Sequence, residues 1–169
     1  SGSGNLTATA TGDITIDAGA TLTSSGGNVV LVARGGNFIN DSAAALSTPA
    51  GRWLVYATSP AGNQANGLAP GNAQPNLYNR SFAANPPATI AAGNHFLFTF
   101  QPTLTVTPDA LGKLFGNADP ALSFGATGLL AGDALTDAFT GSLQRAAGEV
   151  PGGYAITART TTSALGYAI

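Results

Sequence analysis

A repeat of 23 to 24 residues is the feature that most constrains the fold of this chain. The runs GNLTATAT, GNVVLVAR and GRWLVYAT begin at Gly4, Gly27 and Gly51. Each run alternates in character, as expected of a strand whose successive side chains point to opposite faces. A fixed period of this length is typical of a solenoid, in which each repeat forms one coil and stacks on the coil before it. The three glycines are therefore predicted to be structural.

Two more alternating stretches follow the first run, at 13–17 and 19–23, and Leu22 and Leu46 repeat the 24-residue spacing. Three short strands per coil, separated by Gly, Asn and Asp turns, describe a parallel β-helix. A β-sandwich is the alternative, but it has no reason to keep such a period.

The outward-facing positions of the repeated runs change along the chain. They are threonines in the first run and become apolar in the next two, at Val30, Val32, Leu54 and Tyr56. An exposed face does not need this change, so a later segment is expected to cover it. The run 95–100 places Phe96 and Phe98 on one side of a strand, and both are predicted to be structural. We predict that this strand, with part of 59–94, packs on the outer face of the coils.

The chain is predicted to contain three parts and to be all-β. Residues 1–58 form β-helix coils, 59–101 form a capping segment rich in Pro, Gly and Asn, and 102–169 form a small β domain, immunoglobulin-like or β-grasp-like. The small domain is expected to contain strands throughout, two of them within 132–157 and a last one in TTTSALGYAI. Tyr154 follows a Gly-rich turn and is predicted to be structural, as at a tyrosine corner.

Composition excludes several classes of function. Charged residues make up 8% of the chain and the net charge is -2, which argues against binding nucleic acid. There is no cysteine, and His95 is the single histidine, so zinc and haem sites are not expected. Paired aspartates at Asp13 and Asp17, and at Asp133 and Asp137, lack the spacing of a calcium loop and are interpreted as solvated turn residues. No hydrolase or phosphate-loop motif occurs. We therefore expect no catalytic residues, no metal and no cofactor.

Two stretches resemble known families. GGNFINDSAAALSTPAGRWLVYATSPAGN resembles the segment that closes the β-helical part of filamentous-haemagglutinin-type exoproteins, the secreted members of bacterial two-partner secretion systems. LTVTPDALGKLFGNADPALSFGATGLLAGDALTDAFTGSLQRAAGEVPGGYAIT resembles the MBG-type repeat that follows in such proteins. The second stretch has Phe115-Gly116 where the family often has Tyr-Gly, so any role of that hydroxyl is lost.

The resemblance implies a non-enzymatic part of a large secreted surface adhesin, acting as the end of a stalk and as a repeat module in cell attachment or biofilm formation. It implies an outer-membrane two-partner-secretion transporter as the partner during export. Glycans or proteins of host or neighbouring cells are the implied partners at the cell surface.

Two other functions remain as alternatives. A carbohydrate-binding module would use Trp53, Tyr56 or Tyr78 as stacking platforms for a ligand. Exposed rings would favour this function, and buried rings would favour the adhesin. The parity of Trp53 in its strand predicts that its side chain points into the coil. A β-helical polysaccharide-degrading enzyme would need charged residues clustered on one coil face, where this chain has Thr and Val. A crosslink between Lys113 and Asn117 through Glu149 is not indicated by their spacing.

Overall fold

The computed structural model describes residues 2–43, 45–72 and 74–169, the side chain of Thr160 excepted. They fall into two compact units, residues 1–101 and 102–169. Strands, turns and loops account for nearly all of the described residues. No helix within the described ranges has the length and apolar character needed to cross a membrane.

The first unit is a solenoid of parallel strands. The first coil contains β1 (Leu6–Ala10), β2 (Ile14–Ile16) and β3 (Leu22–Thr23). The second coil contains β4 (Val29–Ala33), β5 (Phe38–Asn40) and β6 (Leu46–Ser47), and the third begins with β7 (Trp53–Ala57). Strands at equivalent places in successive coils pair in parallel, with Leu6 opposite Val29 and Leu22 opposite Leu46. The predicted β-helix is confirmed.

Small and amide residues explain why the turns can stack closely. The Oδ1 atom of Asn5 accepts a hydrogen bond from the backbone N–H of Asn28, and Oδ1 of Asn28 accepts one from the N–H of Arg52. Each side chain thus satisfies a backbone donor of the next coil, which would otherwise be unpaired in the turn. A Cβ atom at Gly27 would lie 2.6 Å from the carbonyl carbon of Gly4. Only glycine permits this approach of the two backbones.

The segment after β7 extends the same sheet instead of covering it. It contains β8 (Asn76–Leu77) and β9 (His95–Phe98), and the sheet has the order β1-β4-β7-β9-β8. β9 pairs in parallel with β7, so that Tyr56 lies opposite Leu97. The prediction that 95–100 packs on the outer face is therefore wrong for this strand. β9 is an inner strand of the sheet, between β7 and β8, and all four of its residues are buried. A strand buried on both faces is expected to be apolar at successive positions.

The outer face of the sheet is covered by residues that precede β9. The rings of Tyr56 and Phe82 meet edge to face with their centroids 5.3 Å apart, and the Tyr56 hydroxyl donates a hydrogen bond to the carbonyl of Asn85 at 2.8 Å. The guanidinium of Arg52 donates to the carbonyl oxygens of Pro87, Ile90 and Ala91. Covering by part of the segment 59–94 agrees with the expectation from the sequence.

The inner face of the solenoid is closed by aromatic rings. The centroid of Phe96 lies 5.0 Å from that of Trp53 and 6.3 Å from that of Phe38. Phe98 stacks on Tyr78 with the centroids 5.9 Å apart. These side chains are buried, and together they fill the interior of the solenoid at its last coil.

The second unit consists of two antiparallel strand pairs separated by a helical turn. β10 (Thr105–Pro108) pairs with β11 (Phe124–Thr127), and β12 (Thr140–Arg145) pairs with β13 (Ile156–Thr162). The short helix α1 (Leu135–Ala138) lies where strand was predicted. The predicted final strand, 160–169, is not a separate strand: its first three residues are the end of β13, and the rest contributes a single bridge between Thr103 and Ala168.

The core of the second unit is built around Phe139 and Tyr167. The Phe139 ring meets that of Phe124 with the centroids 5.2 Å apart. The buried Tyr167 hydroxyl donates a hydrogen bond to Oδ2 of Asp133 at 2.6 Å and accepts one from the N–H of Leu130. Because its ring is in the core and its hydroxyl is bonded to the loop before α1, Tyr167 fixes that loop. The sequence predicts a structural role for Tyr154, and nothing in it identifies Tyr167 as the tyrosine of this core.

Candidate functional site

A cavity of about 590 Å³ opens in the second unit. Its walls come from the two hairpin loops, residues 109–122 between β10 and β11 and residues 146–155 between β12 and β13. Pockets that hold small ligands have volumes of roughly 300–1,000 Å³ and combine apolar walls with a few polar groups. This cavity meets both conditions, since leucine, phenylalanine, proline and valine side chains line it together with five charged ones.

Four of the five charged side chains in the cavity form a closed ring of ion pairs. Nζ of Lys113 lies 2.8 Å from Oδ1 of Asp119 and 2.8 Å from Oε2 of Glu149. Arg145 completes the ring, with Nε 3.0 Å from Oδ2 of Asp119 and Nη2 2.8 Å from Oε1 of Glu149. Each carboxylate therefore bridges both cations. We call these four residues the ionic ring.

The ionic ring holds all four groups in their charged forms. The hydrogen bond from Lys113, followed by that from Arg145, lowers the pKa of Asp119, and the hydrogen bond from Lys113 also lowers the pKa of Glu149. The hydrogen bond to Asp119 raises the pKa of Lys113 and that of Arg145. The ring is open to solvent, so its contribution is screened by water and salt.

The ring of Tyr154 packs against Arg145 of the ionic ring. The guanidinium carbon of Arg145 lies 4.8 Å from the centroid of the Tyr154 ring, which is the geometry of a cation–π contact. The Tyr154 hydroxyl donates a hydrogen bond to the carbonyl of Val150 at 2.7 Å. Gly148 has φ +140 and lies so close to the ring that a Cβ atom there would overlap it. Tyr154 thus positions Arg145.

Large apolar side chains are exposed around the same cavity. Phe115 is 75% exposed and Val150 is 74% exposed, and both line the cavity. Leu111 lines it too and is 41% exposed, while the neighbouring Leu114 is 76% exposed outside it. A cluster of exposed apolar residues of this kind is uncommon on a monomer surface and marks a surface for binding.

The three aromatic residues considered as ligand platforms are buried in the first unit. Trp53 and Tyr56 are each 3% exposed and Tyr78 is 1% exposed. Burial raises the pKa of Tyr56 to about 12. Rings this deeply packed between strands cannot present a face to a ligand, so the prediction of ligand contacts at these residues is wrong. The position of Trp53 inside the coil agrees with its parity.

Four of the remaining residues predicted to be structural are constrained by packing, and Gly4 is not. Phe96 and Phe98 are buried within the solenoid. Gly51 lies on the carbonyl group of Gly27, and Gly27 on that of Gly4. The first coil shows the open side of this stack, since nothing lies within 4 Å of a Cβ atom placed at Gly4.

Lys113 and Glu149 do meet, which their spacing could not show, but the ionic ring does not suit a crosslink. Amide formation needs a neutral amine as nucleophile, and the hydrogen bond to Asp119 raises the pKa of Lys113. Asn117 is not among the residues that line the cavity, and its N–H donates to the carbonyl of Leu114. The arrangement is that of an ion-pair network.

The single histidine is buried in β9. Nδ1 of His95 lies 2.9 Å from the carbonyl oxygen of Gln74, and Nε2 lies 3.2 Å from that of Ala92. Both partners belong to the segment that leads into β8 and β9, so the ring connects that segment to the sheet. Its position is that of a structural residue.

The aspartates that suggested calcium serve local hydrogen bonds. Oδ1 of Asp13 accepts a hydrogen bond from the N–H of Asn37 at 2.7 Å, and Asp133 accepts one from Tyr167. Within residues 2–43, 45–72 and 74–169, no three His, Asp or Glu side chains are grouped as metal ligands.

One comparison with known proteins gives a match. Residues 104–169 match the family model described as MBG domain (YGX type). The match covers the second unit and includes every residue of the ionic ring. A search of curated proteins and a search of solved structures each gave no match to the chain.

Proposed function

We propose that the chain is a non-enzymatic attachment module of a large exported bacterial surface protein of the filamentous-haemagglutinin type. The observation that carries the proposal is the pairing of two parts in one chain: a β-solenoid and a region that matches the MBG domain. MBG domains are found in large surface adhesin-like proteins, consistent with a non-enzymatic repeat module.

The architecture supports a mechanical and adhesive role. Parallel coils pair with one another along the solenoid, so such a structure extends by adding coils, each contacting only its neighbours. The second unit supplies a cavity with exposed apolar walls. Where such modules recur, many weak contacts act together, and avidity raises the overall affinity without any new contact.

The two alternative functions have less support. The aromatic platforms of a carbohydrate-binding module are buried in the solenoid. A polysaccharide-degrading enzyme would need a suitably spaced pair of carboxyl groups with distinct protonation states. Two of the three carboxylates that line the cavity, Asp119 and Glu149, are instead both held ionised by the same two cations.

The proposal includes export by a two-partner-secretion transporter and display on the cell surface. Antibodies against the chain are expected to label intact producing cells, and protease added to intact cells is expected to remove the signal. Labelling that requires lysis of the cells would contradict surface display.

Attachment can be tested with the full chain. Beads coated with the chain are expected to be retained on cell layers or biofilm matrix more strongly than beads coated with an inert protein of similar net charge. Incubation with the same matrix should release no reducing sugar ends. Equal retention of both beads, or catalytic release of sugars, would refute the proposal.

A further inference from the structure

The ionic ring leaves hydrogen-bond acceptors for a ligand. Each of the four carboxylate oxygens of Asp119 and Glu149 lies within 3.0 Å of a nitrogen of Lys113 or Arg145. An ionised carboxylate has about four lone-pair sites, so about two sites remain on each. Arg145 uses Nε and Nη2 in the ring, and its Nη1 donates to the carbonyl of Gly148. What the cavity offers to a ligand is therefore mainly acceptors.

The acceptors are also the more accessible part of the ring. The side chains of Asp119 and Glu149 are 43% and 61% exposed, whereas those of Lys113 and Arg145 are 21% and 18% exposed. A ligand that enters from solvent thus meets carboxylates first. Such a ligand must donate hydrogen bonds.

The net charge of the ring determines which donor fits. Two cations and two carboxylates cancel within the ring, so the charge of the cavity comes from Asp109 alone, whose Oδ2 accepts a hydrogen bond from the Ser123 hydroxyl at 2.6 Å. Asp109 is exposed, and a single charge in contact with solvent is screened and attracts a cationic ligand only weakly over distance. The cations lie deeper than the acids, which disfavours an anionic ligand. A neutral ligand with several hydroxyl groups satisfies both conditions.

The apolar wall supplies the second half of such a site. Phe115 lines the same cavity and exposes three quarters of its surface. A flat exposed ring beside hydrogen-bond acceptors matches a molecule that has C–H groups on one face and hydroxyls at its edge, as a pyranose sugar does. The cavity volume of about 590 Å³ lies within the range of small-molecule sites.

We infer that this cavity binds a neutral saccharide, with hydroxyls donating to Asp119 and Glu149 and one sugar face resting on Phe115. The inference rests on the proposed attachment function, for which it names the ligand class and the site. It places saccharide binding in the second unit, away from the buried rings of the solenoid.

The test uses the immobilised full chain and five probes: three neutral oligosaccharides, of glucose, galactose and N-acetylglucosamine, with heparin as a polyanion and polylysine as a polycation. At least one neutral oligosaccharide is expected to bind, and its NMR shift changes should fall within 108–156. Binding of no neutral oligosaccharide, or of polylysine or heparin alone, would overturn the inference.

Matched variants locate the site. Phe115→Ala should weaken saccharide binding about tenfold, while the control Leu114→Ala, equally exposed but outside the cavity, should leave it within about twofold. Glu149→Gln should weaken binding, and the control Asp41→Asn in the first unit should not. Unchanged affinity in both cavity variants would also overturn the inference.

The bead-attachment experiment tests the proposed function independently of saccharide binding. If no saccharide binds the cavity but coated beads still attach to cells, the saccharide inference fails and attachment stands. If the beads do not attach either, both fail.

Discussion

The rings of Trp53 and Phe96 lie with their centroids 5.0 Å apart, one from β7 and the other from the neighbouring β9. Their contact joins the third coil to a strand that lies far along the chain. Because β9 forms the fourth rung of the sheet, this contact closes the core of the solenoid.

Replacing Phe96 by Ala should therefore destabilise the first unit strongly. The expected loss is about 3–5 kcal/mol, because the substitution leaves a cavity among rings that cannot collapse onto it. Denaturant unfolding followed by the fluorescence of Trp53, the single tryptophan, measures it directly. The control Phe100→Ala, at a residue that is 43% exposed, should change stability far less. Equal effects of the two substitutions would contradict the assigned core.

Stacking of the coils through glycine gives a second prediction. Gly51→Ala places a Cβ atom against the carbonyl group of Gly27, whereas Gly4→Ala meets nothing within 4 Å. Overpacking of this kind costs about 1–3 kcal/mol, so Gly51→Ala should lower the melting temperature while Gly4→Ala should leave it nearly unchanged. Calorimetry of the two variants distinguishes a stacking constraint from a general intolerance of alanine in the turns.

The outer cover of the sheet depends on Arg52. Its guanidinium donates to three carbonyl groups of the covering segment, and hydrogen bonds from charged donors contribute about 1.5–3 kcal/mol. Arg52→Met should speed amide hydrogen exchange in residues 81–91 and lower stability. Arg34→Met, at an exposed arginine, is the control. Exchange that is equally slow in the two variants would show that the apolar contacts of Phe82 suffice.

The ionic ring predicts how the second unit responds to pH. Asp119 and Glu149 have lowered pKa values in the folded chain, so their contribution to stability is present above the unfolded values near pH 4. This contribution is lost as pH falls through the lowered values, because the unfolded chain binds protons at a higher pH than the folded chain and is therefore favoured by acid. Lys113 has a raised pKa in the folded chain, so its contribution is fully present below the unfolded value of about 10.4 and is lost as pH rises through the raised folded value.

Asp119→Asn and Glu149→Gln should each reduce the acid-side loss of stability in the second unit. Hydrogen exchange of residues 102–169 as a function of pH gives the measurement, since the tryptophan reports on the first unit. Identical acid profiles in the wild-type chain and both variants would mean that the ring contributes nothing measurable to folding.

The solenoid could be predicted because successive repeats are adjacent in the sequence and show its period directly. Gly4, Gly27 and Gly51 show the coil length, and the pairing of Val29 with Trp53 follows from it. The place of β9 could not be predicted this way, because a long insertion interrupts the period after Ala57. An apolar strand such as HFLF could equally pack on the outer face of the sheet or join the sheet as a further strand. Its hydrogen-bonded pairing with β7, which distinguishes the two arrangements, cannot be read from the sequence.

The ionic ring lay beyond sequence reasoning for a different reason. Lys113 and Arg145 lie in different hairpins, and the bends of two loops bring them to the same carboxylates. The single lysine and the single glutamate were a signal that drew attention to Lys113 and Glu149, but nothing in their spacing joins them to Arg145. The same holds for α1, where the four-residue turn is too short to show a helical period.

The order β7-β9-β8 also determines the sequence in which the sheet can form during synthesis. As the chain emerges with its N-terminus first, the edge of β7 has no partner until residues 95–98 follow. β8 is made before β9 but cannot join the sheet until then, because β9 lies between it and β7. During that interval an unpaired strand edge and the ring of Trp53 are open to other chains, the condition under which growing β proteins associate wrongly. The arrival of one four-residue strand ends the exposure of both.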